Sequence, residues 1–122
     1  MDELLKIAWN AMELAYPWKS GTRVGCAIRG ENGEIVTGFN IEGLWMTSVH
    51  AEVTAIMELI RKQTRGIEIA LVAKTEFFTP CGACFDWLIQ FCKPESPIHI
   101  QNKRGEINTF VLQELYPSYP KQ

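Results

Sequence analysis

The sequence predicts an α/β fold: three layers, α/β/α, built on a five-stranded mixed sheet. Three observations carry this. Apolar residues recur at helical spacing near the N-terminus, short β-rich runs then alternate with further helical stretches, and a turn signal joins the first two of those runs. The resulting order is αββαβαββ. Helices on the faces of a single sheet are the natural way to bury such elements.

Each element has its own local reason. Residues 2–15 place Leu4, Leu5, Ala8, Met12 and Ala15 on one helical face, and Tyr16-Pro17 ends that helix. Residues 23–29 read as a strand, Glu31-Asn32-Gly33 as a turn, and 34–39 as the return strand of a hairpin. Residues 41–47, with Gly43 and Trp45, read as a loop. Ser48 is the expected N-cap of a helix over 49–63. The apolar run 67–73 reads as a buried strand. Thr79 as N-cap and Pro80 as first residue open a third helix that reaches Cys92. Residues 97–101 form the fourth strand, Lys103-Arg104-Gly105 a turn, and 106–111 the fifth strand. A helical turn over 113–116 precedes a Pro-rich tail. The hairpin makes one sheet edge antiparallel; the third and fourth strands, joined through a helix, should be parallel with a right-handed crossover.

A chain of 122 residues, 47% of them apolar, suits one domain spanning 1–122 with a real core. The net charge of −2 argues against a nucleic-acid surface. No apolar run approaches the roughly 20 residues of a membrane span. Met1-Asp2-Glu3 is acidic where a secretory signal is basic, so a cytoplasmic location is expected. Of the four cysteines, Cys81 and Cys84 form a Cys-x-x-Cys pair, which in such a chain points to metal or redox chemistry rather than disulfides. Cys26 and Cys92 lie in apolar stretches and read as core residues.

The chemistry concentrates in His50-Ala51-Glu52 and Pro80-Cys81-Gly82-Ala83-Cys84, each at the start of an expected helix. Cys81 and Cys84, three apart, share a helix face and can grip one ion. Zinc favours thiolate and imidazole, and a catalytic site keeps three protein ligands and one open position; His50 is the expected third ligand. Helix N-termini favour thiolates. Glu52 is expected to move protons rather than bind the ion. Lying two residues past His50, it would point away on an ideal helix, so the chemistry requires both residues at the very first turn. Taken singly, a Cys-x-x-Cys also fits structural zinc or thiol redox, and a Glu at a helix start also fits dipole compensation. A closed structural site needs a fourth ligand, and Cys26, Cys92 and His99 lack suitable spacing for it.

The order His-x-Glu followed by Pro-Cys-x-x-Cys resembles the zinc deaminase signature. The chain further resembles the short, homotetrameric cytidine deaminases over most of its length. Tyr16-Pro17-Trp18 followed by Val24-Gly25-Cys26-Ala27, Gly38-Phe39-Asn40-Ile41-Glu42, Pro80-Cys81-Gly82-Ala83-Cys84 and Leu115-Tyr116-Pro117-Ser118-Tyr119 carry the similarity. The resemblance implies the cytidine deaminase-like fold, one Zn²⁺ per chain, and hydrolysis of cytidine or 2′-deoxycytidine to the uridine and ammonia. It also implies a homotetramer with active sites near subunit interfaces, a small nucleoside as partner, and neither nucleic acid nor membrane. Asn40 and Glu42 would bind the ribose 3′-hydroxyl; read alone they are a turn residue and a loop charge. Backbone groups of Ala51 and Cys81 would contact the base. Tyr119 would either present an aromatic face to the pyrimidine or pack down the tail.

The chain departs from that family in three places. His50 replaces the usual Cys, and Val53 replaces an Arg that tempers the charge of three thiolates. The two changes fit together, because imidazole with two thiolates leaves zinc neutral. Residues 18–23 carry one extra residue and lack a pocket Phe; Trp18 and Trp45 are the candidates to fill that space. Phe85-Asp86 stands where Arg-Gln is usual. The altered pocket keeps N4-substituted cytosines open as substrates. A blasticidin S deaminase is the nearest alternative of the same fold, and a non-catalytic zinc module is the alternative of another class; Glu52 argues against the latter. Guanine, tRNA and deoxycytidylate deaminases share the His-Ala-Glu triplet but usually differ between the cysteines.

Overall fold

A computed structural model of the 122-residue chain describes residues 2–45 and 47–118. The elements in chain order are α1 (Asp2–Met12), β1 (Val24–Gly30), β2 (Ile35–Phe39), β3 (Ile41–Glu42), β4 (Ser48–Val49), α2 (Ala51–Arg61), β5 (Gly66–Ala73), α3 (Gly82–Phe91), β6 (Pro97–Gln101) and β7 (Ile107–Val111), followed by a 3₁₀ turn at Leu112–Glu114. Five strands form the main sheet in the order β2-β1-β5-β6-β7. The hairpin β1–β2 is antiparallel and forms one edge, β1 pairs antiparallel with β5, and β5 and β6 are parallel across α3. The expected five-stranded mixed sheet is present, with the expected antiparallel hairpin at one edge and the expected parallel pair across a helix.

Side-chain alternation along the strands builds the three layers. Cys26, Ile28, Ile69 and Leu71 face a core completed by Ala55, Leu59, Phe85 and Leu88 of α2 and α3. Ala27, Ala70 and Val72 face the other way, under Leu4, Leu5, Ala8 and Met12 of α1. Cys26 and Cys92 are fully buried, as their apolar surroundings predict.

Several boundaries differ from the sequence reading, each for a physical reason. The first helix stops at Met12 rather than at residue 15. Residues 13–15 tighten into turns that bond three residues back, and the Arg23 guanidinium caps the helix by donating to the Glu13 and Ala15 carbonyls at 3.0 Å each. The segment read as a loop over 41–47 is bounded by a two-stranded ladder, with Ile41 opposite Val49 and Glu42 opposite Ser48. Ser48 therefore serves a strand, and the α2 N-cap is His50, with φ −79° and ψ 157° and no side-chain cap bond. Likewise the α3 N-cap is Cys81 rather than Thr79; its Sγ accepts from the Cys84 amide at 3.5 Å. At both helices a residue of the donor set takes the capping place that hydroxyl preference assigned to a neighbour two residues upstream. The C-terminal helical turn is the 3₁₀ segment Leu112–Glu114, one residue earlier than expected.

Candidate zinc and substrate site

The site lies where β2 and β5, which run in the same sense on either side of β1, hand the chain on toward α2 and α3. Gly38 lets α2 approach β2: a Cβ there would collide with the Ala51 carbonyl, the Ala55 amide at 2.5 Å and the Thr54 hydroxyl at 2.6 Å. The starts of α2 and α3 bring His50, Cys81 and Cys84 together, with one donor atom from each inside a 4.8 Å span. His50 Nδ1 lies 3.2 Å from Cys84 Sγ and 3.6 Å from Cys81 Sγ. A nitrogen and a sulfur sharing a tetrahedral zinc stand about 3.6 Å apart, given bond lengths near 2.0 and 2.3 Å. The donor types and their spacing therefore fit zinc. Among the described residues no fourth His, Cys, Asp or Glu joins this group. His99 instead bonds Glu68 and Thr109 on β5 and β7.

The electrostatics point the same way. Burial pushes the Cys84 thiol well above its ordinary range, and the Glu52 carboxylate and Cys81 beside it push it further. A buried thiol next to a carboxylate gains most from a cation that favours its ionised form. Glu52, second residue of α2, is buried. Burial raises its pKa, partly offset by its own backbone amide, by His50 and by a hydrogen bond with Cys84.

A cavity of about 290 Å³ opens over these residues. His50, Ala51, Glu52 and Cys81 line it together with Asn40, Glu42, Ser20, Thr22 and Ser48. Asn40 Oδ1 accepts from the Val24 amide at 2.8 Å and its Nδ2 donates to the Thr22 carbonyl at 2.9 Å. Glu42 Oε1 accepts from the Lys19 and Ser20 amides at 2.9 Å each. The Ser20 hydroxyl and amide, with Lys19, hold the Glu42 pKa below the usual carboxylate range. Both side chains thus line the cavity and also anchor the segment over 19–24.

Tyr119 lies outside the described residues. Trp18 and Trp45 do not fill the pocket: Trp18 is half exposed and donates to the Gly43 carbonyl, and Trp45 is 82% exposed. The aromatic wall is Phe78, which lines the cavity and packs against the larger core. Its signal in the sequence is its place in the connection leaving β5, where α/β sheets gather ligand contacts. Phe85, buried, packs on Tyr116 with ring centres 4.7 Å apart, and the Tyr116 hydroxyl donates to the Pro80 carbonyl at 3.2 Å.

Residues 1–99 match the family model described as the cytidine and deoxycytidylate deaminase zinc-binding region. The chain belongs to this deaminase family. Its zinc cofactor follows from that membership together with the donor set just described. Among curated deaminases of the family, the cytidine deaminase of Sporosarcina psychrophila is 32% identical over 120 residues, covering 96% of this chain and 88% of the relative. The cytidine deaminase of Halalkalibacterium halodurans is 32% identical over 117 residues, covering 93% and 89%. The crystal structure of cytidine deaminase from Burkholderia pseudomallei superposes with a TM-score of 0.91 at 28% identity, covering 98% of each chain. Helices flanking a mixed five-stranded sheet are the architecture this deaminase shares with that structure.

Proposed function

We propose that the protein hydrolyses the exocyclic amine of cytidine or 2′-deoxycytidine, releasing ammonia and leaving the uridine. The observation that carries this reading is a buried Glu52 lining a cavity, beside a three-donor cluster without a fourth protein ligand among the described residues. In this reading His50, Cys81 and Cys84 hold the ion. When bound, zinc supplies Lewis acidity and lowers the pKa of a water to about 7.

Glu52 moves the protons. Its raised pKa suits a group that takes a proton from the attacking water, passes it to the ring nitrogen, then takes the remaining proton from the added oxygen and delivers it to the departing amine. Water adds its oxygen to the ring carbon and the carbon–nitrogen bond breaks, so the balance is cytosine plus water to uracil plus ammonia. Asn40 and Glu42 hold the sugar: a carboxylate accepts from a hydroxyl, an amide both donates and accepts, and bonds to the 19–24 segment fix both side chains at the cavity. Backbone groups of Ala51 and Cys81 meet the base, and Phe78 gives it an apolar wall. The lining carries two carboxylates and, among the described residues, no Lys or Arg, which favours a nucleoside over its 5′-phosphate.

The same reading extends to the whole molecule, a single domain over 1–122. Met57 and Ile60 on α2 and Trp87 on α3 stand exposed, an apolar face suited to association as a homotetramer. All four cysteines are free, which suits the reducing cytoplasm. No helix among the described residues is long and apolar enough to cross a membrane.

The test is ammonia release from cytidine, deoxycytidine, cytidine 5′-phosphate, N4-substituted cytosines, blasticidin S and guanine. Zinc-loaded wild type should turn over the plain nucleosides, and Glu52→Gln should lose about 10²–10⁴-fold while retaining zinc. Zinc binding without turnover of any pyrimidine nucleoside would refute the reading.

A further inference from the structure

Thr54 occupies a position that the reaction scheme leaves unused. β2 is an edge strand, so its outward-facing backbone groups have no strand partner. The Thr54 hydroxyl meets two of them at once. It accepts from the Phe39 amide at 2.9 Å, and it shares its proton between the Phe39 carbonyl and the Ala51 carbonyl, each at 3.0 Å. A threonine in a helix often bonds back to a carbonyl one turn earlier. That habit explains the Ala51 contact and leaves the two contacts to Phe39, fifteen residues away, unexplained.

The residues joined this way are telling. Phe39 precedes Asn40, whose side chain holds Thr22 and Val24 in the pocket wall. Ala51 precedes Glu52. One hydroxyl therefore ties the strand end facing the sugar to the helix start that carries the acid–base group. Gly38 lets the two approach closely enough for the bond, since its missing Cβ would stand 2.6 Å from Thr54 Oγ1. We propose that Thr54 is a positioning residue for deamination: its hydroxyl fixes the distance between Asn40 and Glu52 by joining Phe39 to Ala51. The inference rests on the deaminase reading for its consequence in turnover. The tie itself stands apart from that reading.

Thr54→Val keeps the shape and removes the hydroxyl; Thr54→Ser keeps the hydroxyl. Steady-state kinetics with cytidine, zinc content and amide hydrogen exchange are measured on all three proteins, well below their melting temperatures. For Thr54→Val, kcat should fall about tenfold or more with zinc content unchanged, because sub-ångström displacement of a reacting group is costly. Thr54→Ser should stay within about threefold of wild type, since the hydroxyl is the agent. The Phe39 amide should exchange at least about tenfold faster in Thr54→Val and at the wild-type rate in Thr54→Ser, having lost or kept its acceptor. Should Thr54→Val not fold, Thr54→Ala, which adds no apolar methyl against the strand, carries the same expectations. Wild-type kinetics in the hydroxyl-free variant, or equal damage in Thr54→Ser, would overturn the proposal. If wild type turned over no cytosine nucleoside, the deaminase reading would fail, while unchanged exchange at Phe39 would separately show that the hydroxyl does not tie strand to helix.

Discussion

Replacing Gly38 with alanine tests the packing that brings α2 to the site. The added Cβ would lie 2.5 Å from the Ala55 amide nitrogen and 2.6 Å from Thr54 Oγ1, where real Cβ contacts stay above 3.0 Å. It would also strike the Ala51 carbonyl, and two of these three atoms are backbone, so no rotamer change relieves the clash. The Ala51 carbonyl is the nearest of the three, so the start of α2 must retreat from β2 by about 1 Å. Overpacking of this kind costs about 1–3 kcal/mol. With an unfolding entropy near 2.1 cal/mol/K per residue, that lowers Tm by about 4–12 °C for a chain of this length. The same retreat carries Glu52 with it. A 1 Å misplacement costs about 10²-fold in rate, so a loss approaching 10²-fold in kcat/KM is expected. Differential scanning calorimetry and the ammonia assay read the two effects. Gly82→Ala is the stability control, because its Cβ would meet nothing within 4 Å and Tm should hold or rise. A Gly38→Ala protein with wild-type Tm and kcat/KM would refute the close approach and the placement of Glu52 that depends on it.

Other consequences are as direct. Cys84→Ala removes the buried sulfur of the donor set, and zinc measured after dialysis should fall to a small fraction of one ion per chain; full retention would exclude Cys84 as a ligand. Tyr116→Phe deletes the bond to the Pro80 carbonyl, and urea unfolding should show a loss of about 0.5–1.5 kcal/mol; an unchanged midpoint would mean that the bond contributes nothing. Burial raises the Glu68 pKa, but hydrogen bonds from His99 and Arg29 outweigh it, so the folded pKa lies below the unfolded one. Stability from this carboxylate is therefore full above the ordinary Glu pKa of about 4.3 and is lost as pH falls through the lower folded value. The urea midpoint of wild type should drop across that acidic window more steeply than that of Glu68→Gln, and parallel profiles would contradict the assignment.

Where periodicity and turn chemistry were strong, the sequence was legible. The Glu31-Asn32-Gly33 turn and the run at 97–101 lead directly to the β1–β2 hairpin and to β6. The caps were misplaced because preference tables weigh only backbone satisfaction. At His50 and Cys81 the capping residue is also part of the donor cluster, and Ser48 is drawn into pairing with Glu42. The two-residue strands β3 and β4 are too short to show any alternation. The donor set was legible because zinc demands particular atoms at particular spacings. The pocket wall was not, because Phe78, Ser20 and Thr22 reach the cavity only through long-range placement.

The segment over 19–22 is tied to Asn40 and Glu42, whereas His50, Cys81 and Cys84 sit on two helix ends rooted in the core. Under the proposed function, admission of a substrate and its conversion fall to different stretches of chain with different tolerances for change. Lengthening or exchanging that segment would reshape what enters while the donor cluster underneath keeps its form.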